Sequence, residues 1–315
     1  MASESAEIVA LVGGTGPMGQ SIAAALRQKG QAYRVIGRTQ AKLAETFGDD
    51  PLAQLATWDP DDPESIRAAL RGTTAVVHLL GVPYTSFELH LILMRRVLDA
   101  AIAERVEKLL LIGTLYVYGR AQAERITEEH PREPHTFKGR KRKEQEDMVL
   151  EAHATGAIRT TILRLPDFYG PNVSNSLIYN LFVAARQNRR AQLLGPVDRP
   201  HEFVFVPDVG PVVARMLETP AAFGRAWNLA GAGVTTQRQL AEMAFGGPPR
   251  ILAAGKMMLR LMGLFNPLFR ELAEMHYLMA DPLIVDDTAL EKLIGPIHKT
   301  PYADGVRQAL AAVPK

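Results

Sequence analysis

Residues 8–19, Ile-Val-Ala-Leu-Val-Gly-Gly-Thr-Gly-Pro-Met-Gly, constrain this chain more than any other stretch. An apolar run ends in glycines spaced Gly13-x-x-Gly16-x-x-Gly19 and passes directly into the helical pattern Ile22, Ala25, Leu26. That order reads as strand, tight turn and helix. Gly13 lets the chain turn off the strand, Gly16 lets backbone approach a pyrophosphate with no side chain between them, and Gly19 lets the helix pack closely. The first helical turn, Pro17 and Met18 leading to Gly19, then brings free amides and the positive end of the helix dipole to a diphosphate. A glycine-rich turn without ligand has the same composition, but the strand before it and the helix after it favour a dinucleotide.

Beyond the turn, short apolar runs alternate with helical patterns. Strands are expected near 7–12, 32–37, 54–58, 75–80, 108–113 and 159–165, and helices near 17–29, 63–71, 86–103 and 139–155. This alternation predicts an α/β fold, a Rossmann-type doubly wound parallel sheet. Asp62-Pro63 and Thr235-Thr236 mark helix starts, and Phe203–Val206 and Trp227–Leu229 are strand-like. With 315 residues and 47% hydrophobic content, the chain can bury one large core or a core plus a smaller lobe. A formal net charge of +2 gives no cause to expect a nucleic-acid partner. The absence of cysteine excludes disulfides, zinc-thiolate sites and a thiol nucleophile, and fits a cytoplasmic setting. The acidic N-terminus, Met1–Glu7, does not read as a secretory leader, and no apolar run is long enough for a transmembrane segment.

The glycine spacing, Trp58-Asp59, Val77–Gly81, Tyr118-Gly119, Leu163-Arg164 with Tyr169-Gly170-Pro171, and Phe205–Val209 together resemble the extended and atypical short-chain dehydrogenase/reductase superfamily. Within it, the resemblance is to the NAD-dependent epimerase/dehydratase-like family, over roughly residues 7 to 245. It implies a cofactor-binding domain over 1–165 with returning segments near 201–230. A smaller C-terminal substrate-binding lobe is implied over 166–200 and 232–315. Implied cofactor contacts are Gly13, Gly16, Pro17, Met18, Gly19, Asp59 near adenine, Leu80 and Gly81. An NAD enzyme of this kind usually ends its second strand in Asp or Glu, whereas this chain has Arg38. A guanidinium binds a 2′-phosphate that a carboxylate repels, so NADP is expected over NAD. The bland alternative is that Arg38 is an ordinary exposed arginine.

The resemblance also implies a Ser or Thr after the fifth strand and a Tyr-x-x-x-Lys on the next helix. Thr114 supplies the first, four residues before Tyr118, unless it merely caps the strand end. The second is missing from Pro134–Glu146. One register puts Phe137 at the tyrosine and Lys141 at the lysine; the preferred one puts Lys138 and Arg142 there. Lys138 would serve as acid if burial and the cations Lys141 and Arg142 lowered its pKa. Tyr116 is an alternative acid, Tyr118 is expected to be a packing residue, and Arg142 would hold nicotinamide ribose.

The cluster Lys138, Arg140, Lys141, Arg142, Lys143 is followed at once by Glu144, Glu146 and Asp147 and reads as a solvated helix face, so no nucleic acid is expected. The histidines lack ligand spacing, and no metal is expected. Asp208 is expected to be a structural hydrogen-bonder, with Arg164 as a candidate partner. The apolar, methionine-rich stretch 251–269 would pack the small lobe, cover an apolar substrate, form a subunit contact or lie on a membrane surface.

These observations lead to an expected NADP-dependent oxidoreductase acting on a carbonyl or hydroxyl of a small apolar molecule. Thr114 would hold the substrate, and Lys138, Tyr116 or water would supply the proton. The alternatives are a non-catalytic NADP-binding sensor and a nucleotide-sugar epimerase or dehydratase that uses the cofactor transiently. The resemblance further implies a homodimer.

Overall fold

The computed structural model describes residues 7–314; the leader reading at the N-terminus falls, as far as Ala6, outside them. Chain order runs β1 (Val9–Val12), α1 (Pro17–Gln28), β2 (Tyr33–Gly37), α2 (Gln40–Phe47), β3 (Ala53–Thr57), α3 (Pro63–Leu70), β4 (Ala75–His78), α4 (Leu89–Ala103), β5 (Lys108–Thr114), α5 (Phe137–Ala154) and β6 (Arg159–Leu165). There follow β7 (Asp167–Tyr169), α6 (Tyr179–Arg186), β8 (Ala191–Leu194), β9 (Phe203–Phe205), α7 (Val206–Glu218) and β10 (Ala226–Asn228). The chain closes with α8 (Gln237–Phe245), β11 (Ile251–Ala254), α9 (Lys256–Met262), α10 (Pro267–Met275), α11 (Tyr277–Ala280), α12 (Thr288–Ile294) and α13 (Tyr302–Ala311).

Seven strands form one parallel sheet in the order β10-β6-β5-β4-β1-β2-β3. The expected doubly wound sheet is therefore present, with β10 added beside β6 through Trp227 and Leu163. β1 and β4 are buried at every residue, as strands covered by helices on both faces must be, which is why they read as unbroken apolar runs. Helix α2 was not expected from sequence: eight residues with Leu43 and Phe47 as its only buried side chains carry too little periodicity. Residue 206 departs from the strand-like reading of Phe203–Val206. Pro207 fits a first helical turn, so Val206 opens α7, whose face Val209, Val212, Val213, Met216 packs on the sheet.

Helices α1 and α7 cover one face of the sheet, and α3, α4 and α5 the other. At their crossing α1 and α7 nearly touch. A Cβ at Gly210 would lie 2.1 Å from the Ser21 carbonyl oxygen, and the Ser21 hydroxyl both accepts from the Gly210 amide at 3.0 Å and donates to the Pro207 carbonyl at 3.1 Å. A second body of packing gathers around Tyr169, Phe182, Phe203, Phe205 and Tyr302, joining β7, β9, α6, α8 and α13. Its sheets are two parallel pairs, β7 with β9 and β8 with β11. Within the segment 232–315, α12 packs on α7 and β10, and Leu290 and Ile297 enter the core of the large sheet.

One buried ion pair fixes α5 to the sheet. Arg164 on β6 donates to Glu146 at 2.7 to 3.2 Å through Nε and Nη2, its Nη1 donates to the Tyr118 hydroxyl at 2.7 Å, and Tyr118 donates to Asn228 at 2.8 Å. Tyr118 is thus the packing residue expected. Arg164, however, is bound to Glu146, and Asp208 accepts instead from the backbone and hydroxyl of Thr300 at 2.7 and 2.8 Å. Removing one partner leaves a charge buried without compensation. We predict that Glu146→Ala lowers the unfolding free energy by about 3–5 kcal/mol in urea titration; a loss below about 1 kcal/mol would contradict a buried pair.

Candidate active site

A cleft of about 490 Å³ opens at the carboxyl ends of β1, β4 and β5. Gly13 turns the chain off β1 with φ +82°, a left-handed conformation suited to glycine. A Cβ at Gly19 would stand 2.1 Å from the Gly14 carbonyl oxygen, so only glycine lets α1 sit this close to the turn. Gly16 differs. Its φ of −79° suits any residue, and a Cβ there meets no protein atom within 4 Å. The protein does not need glycine at 16; the space in front of it belongs to the cleft. Gly81, across the cleft, has the same open space.

The start of α1 has no side-chain cap and no acidic residue, and among the described residues the amides of Met18 and Gly19 find no protein acceptor. Unpaired amides at a positive helix end, beside an opening that only absent side chains create, fit a diphosphate. Pro17, Met18 and Leu80 also line the cleft. Arg38 stands exposed just beyond β2, whose Ile36 carbonyl accepts from the Gly13 amide at 3.0 Å. Asp59 is exposed past β3, and its carboxylate accepts from the Asp61 amide at 2.9 Å.

Thr114 and Tyr116 reach the same cleft from the end of β5. The Thr114 oxygen takes only a long contact of 3.5 Å from the Tyr116 amide as it caps a short 3₁₀ turn, Leu115–Tyr118. Among the described residues its hydroxyl proton is uncommitted. The Tyr116 hydroxyl lies 3.3 Å from that of Tyr84, which arrives on the 3₁₀ turn Tyr84–Ser86 after β4. Burial, reinforced by Tyr84 and the Asp167 carboxylate, pushes the Tyr116 phenol well above the ordinary tyrosine range. Burial raises Tyr84 as well. Asp167 completes the polar end of the cleft and accepts from His201 at 2.9 Å.

Helix α5 turns Lys138 and Arg142 inward and leaves Phe137 exposed and Lys141 paired with Glu144 at 2.7 Å. Lys138 and Arg142, the pair of the preferred register, are thus the buried ones, and Phe137 and Lys141 of the other register face outward. Arg142 lines the cleft, donating to the Ile112 carbonyl at 2.9 Å and contacting His90 at 3.1 Å; burial pushes its guanidinium down to about 10. Lys138 is fully buried and absent from the cleft wall. Its ammonium is gripped by Glu271 and by Glu274, the latter at 2.7 Å, on α10. The neighbours expected to unsettle its charge were cations; those it has are two carboxylates. The structure therefore joins Thr114, Tyr116 and Arg142 and sets Lys138 aside. Sequence reasoning missed Tyr84, three residues past Gly81, and the partnership of His201 with Asp167.

The family model for the NAD dependent epimerase/dehydratase family matches residues 9–230. Among solved structures, the chain is similar to UDP-glucuronic acid 4-epimerase from Bacillus cereus in complex with NAD, with 16% identity over 97% of this chain and 98% of that one and a TM-score of 0.79. It is similar to dTDP-glucose 4,6-dehydratase from Bacillus anthracis in complex with NAD, with 16% identity over 98% and 96% and a TM-score of 0.80. A nucleoside-diphosphate-sugar epimerase from Pseudomonas aeruginosa shares 17% identity over 97% of each chain, with a TM-score of 0.78. At such identities these structures bear on the fold alone. No curated protein matches the chain.

The two kinds of glycine are separable by experiment. Gly19→Ala should lower the melting temperature by several degrees, because the backbone of Gly14 must give way. Gly16→Val should melt as the wild type does while weakening dinucleotide binding at least about tenfold by calorimetry. Equal binding by wild type and Gly16→Val would show that the opening holds no phosphate.

Proposed function

The chain belongs to the NAD dependent epimerase/dehydratase family, and from that premise we propose an NADP-dependent oxidoreductase acting on the carbonyl or hydroxyl of a small, apolar, non-sugar molecule. The observation that carries this reading is Thr114 beside the Tyr84–Tyr116 hydroxyl pair in a cleft whose other walls are largely apolar. Among the described residues Arg142 and Asp167 are its only formally charged lining groups, few for gripping a nucleotide-sugar diphosphate.

When bound, the dinucleotide supplies or takes up a hydride. In this proposal Gly16, Met18 and Gly19 hold its diphosphate, Asp59 meets adenine, Arg142 meets the nicotinamide ribose and Arg38 the 2′-phosphate. Leu80 and Gly81 floor the cleft. Thr114 donates to the substrate oxygen, and Tyr116 delivers the proton. A phenol held protonated this firmly is a poor base, but the alkoxide formed from a carbonyl is more basic still, so transfer to it runs downhill. The direction favoured is reduction. Lys138 takes no part in proton transfer.

A second reading is favoured by the family description itself. An epimerase or dehydratase would keep its cofactor through the cycle and show no net oxidation. A sensor would bind NADP and turn over nothing.

Calorimetry on wild type and Arg38→Ala tests the cofactor. Loss of the guanidinium should weaken NADP at least about tenfold and leave NAD unchanged. NADPH oxidation across a panel of apolar ketones and enones tests the chemistry. Tyr116→Phe should lower kcat about 10²- to 10⁴-fold with NADP affinity intact. Because Tyr116 is raised and stays protonated as pH climbs through neutrality, the wild-type reductive rate should hold steady there. A rate that falls across neutral pH, or a fully active Tyr116→Phe, would remove Tyr116 from the role. Tight NADP binding with no oxidation of NADPH would favour the epimerase or sensor readings.

A further inference from the structure

We propose that the α9–α10 hairpin seats this protein on an anionic membrane surface. The hairpin has a dry inner side and an apolar outer side. Inward, Leu259, Ala273 and Met275 pack together with Tyr277 and Leu278. Outward, Met257 and Leu261 follow one helix face and lead to Leu264 and Phe265 on the turn, with Leu268 opening the next helix. Leu264 is 77% exposed and Phe265 91%, values that monomeric proteins rarely give such side chains side by side.

Charge selects the occupant. Lys256, Arg260 and Arg270 are exposed around this apolar tip, and among the described residues none of them forms an ion pair. The only acidic residues between Gly247 and Ala280 are Glu271 and Glu274, and both are drawn inward onto Lys138. What faces outward is an apolar wedge with an uncompensated cationic rim. A second copy of the chain would set the same three cations against themselves. An anionic bilayer meets both requirements at once, burying the leucines and Phe265 in the acyl boundary while its phosphates meet the lysine and arginines. No helix among the described residues is long and apolar enough to cross a membrane, so the contact is superficial. The inference is independent of the reaction proposed above.

Co-sedimentation with phosphatidylcholine vesicles, with and without about one third phosphatidylglycerol, at about 0.15 M salt tests it. The full chain should partition onto the anionic vesicles and be released as salt rises. Leu264→Ser combined with Phe265→Ser, and separately Lys256→Glu combined with Arg260→Glu, should each lower the partition coefficient at least about tenfold. Melting temperature and NADP affinity should not move, which separates lost docking from lost folding. Absence of wild-type partitioning would overturn the proposal, as would partitioning that neither pair of substitutions reduces. A dimer in sedimentation velocity that the Leu264 and Phe265 substitutions dissolve would replace the membrane by a second copy.

Discussion

The approach of α1 to the turn after β1 sets everything that the cleft can do. Two backbone contacts that tolerate no side chain clamp this helix, Gly19 against Gly14 at one end and Gly210 of α7 against Ser21 two residues on. Neither partner can retreat, because both helices bury their apolar faces in the same core. The helix therefore offers its amides and dipole at one fixed place above the sheet. Gly16 lies just ahead of both contacts, in the turn between Gly14 and Gly19, and owes nothing to them. Its missing side chain serves whatever enters the cleft.

Helix α5, where the resemblance led one to look for a Tyr-x-x-x-Lys, buries an ionic face instead. Lys138, Arg142 and Glu146 recur every four residues and so share one inward face, an unusual composition for a buried surface. Each charge has its own answer: two carboxylates for Lys138, a carbonyl and His90 for Arg142, and Arg164 for Glu146. The arrangement follows from the cost of burying a charge alone. The outward cations are handled differently, with Lys141 on Glu144 and Lys143 on Asp147 along the helix surface; the solvated face expected of the whole cluster holds for these and not for Lys138 and Arg142, which the fold buries.

This explains which parts were legible. Strands buried on both faces announce themselves as apolar runs, and the glycine turn announces itself by spacing, so the sheet and the cradle could be read directly. Helix α5 carries no apolar stripe because its buried face is ionic, and its inward residues could be picked only by register. Lys138 was given the wrong neighbours, since Glu271 and Glu274 lie more than a hundred residues further on and no local pattern links them. Tyr84 and His201 were missed for the same reason: each gains its meaning from a partner more than thirty residues away, Tyr116 in one case and Asp167 in the other.

The displaced lysine has a consequence for the substrate side of the cleft. By holding Glu271 and Glu274, Lys138 ties α10 to α5, and α10 in turn packs against the turn that carries Tyr84. Lys138 also lies 5.8 Å from the ring centres of both Tyr84 and Phe87, close enough for its charge to favour their faces. The cation that stands where a tyrosine was expected thus fixes the wall that brings a phenol to Tyr116. The hairpin that begins at α9 is thereby anchored to the cleft wall through Lys138.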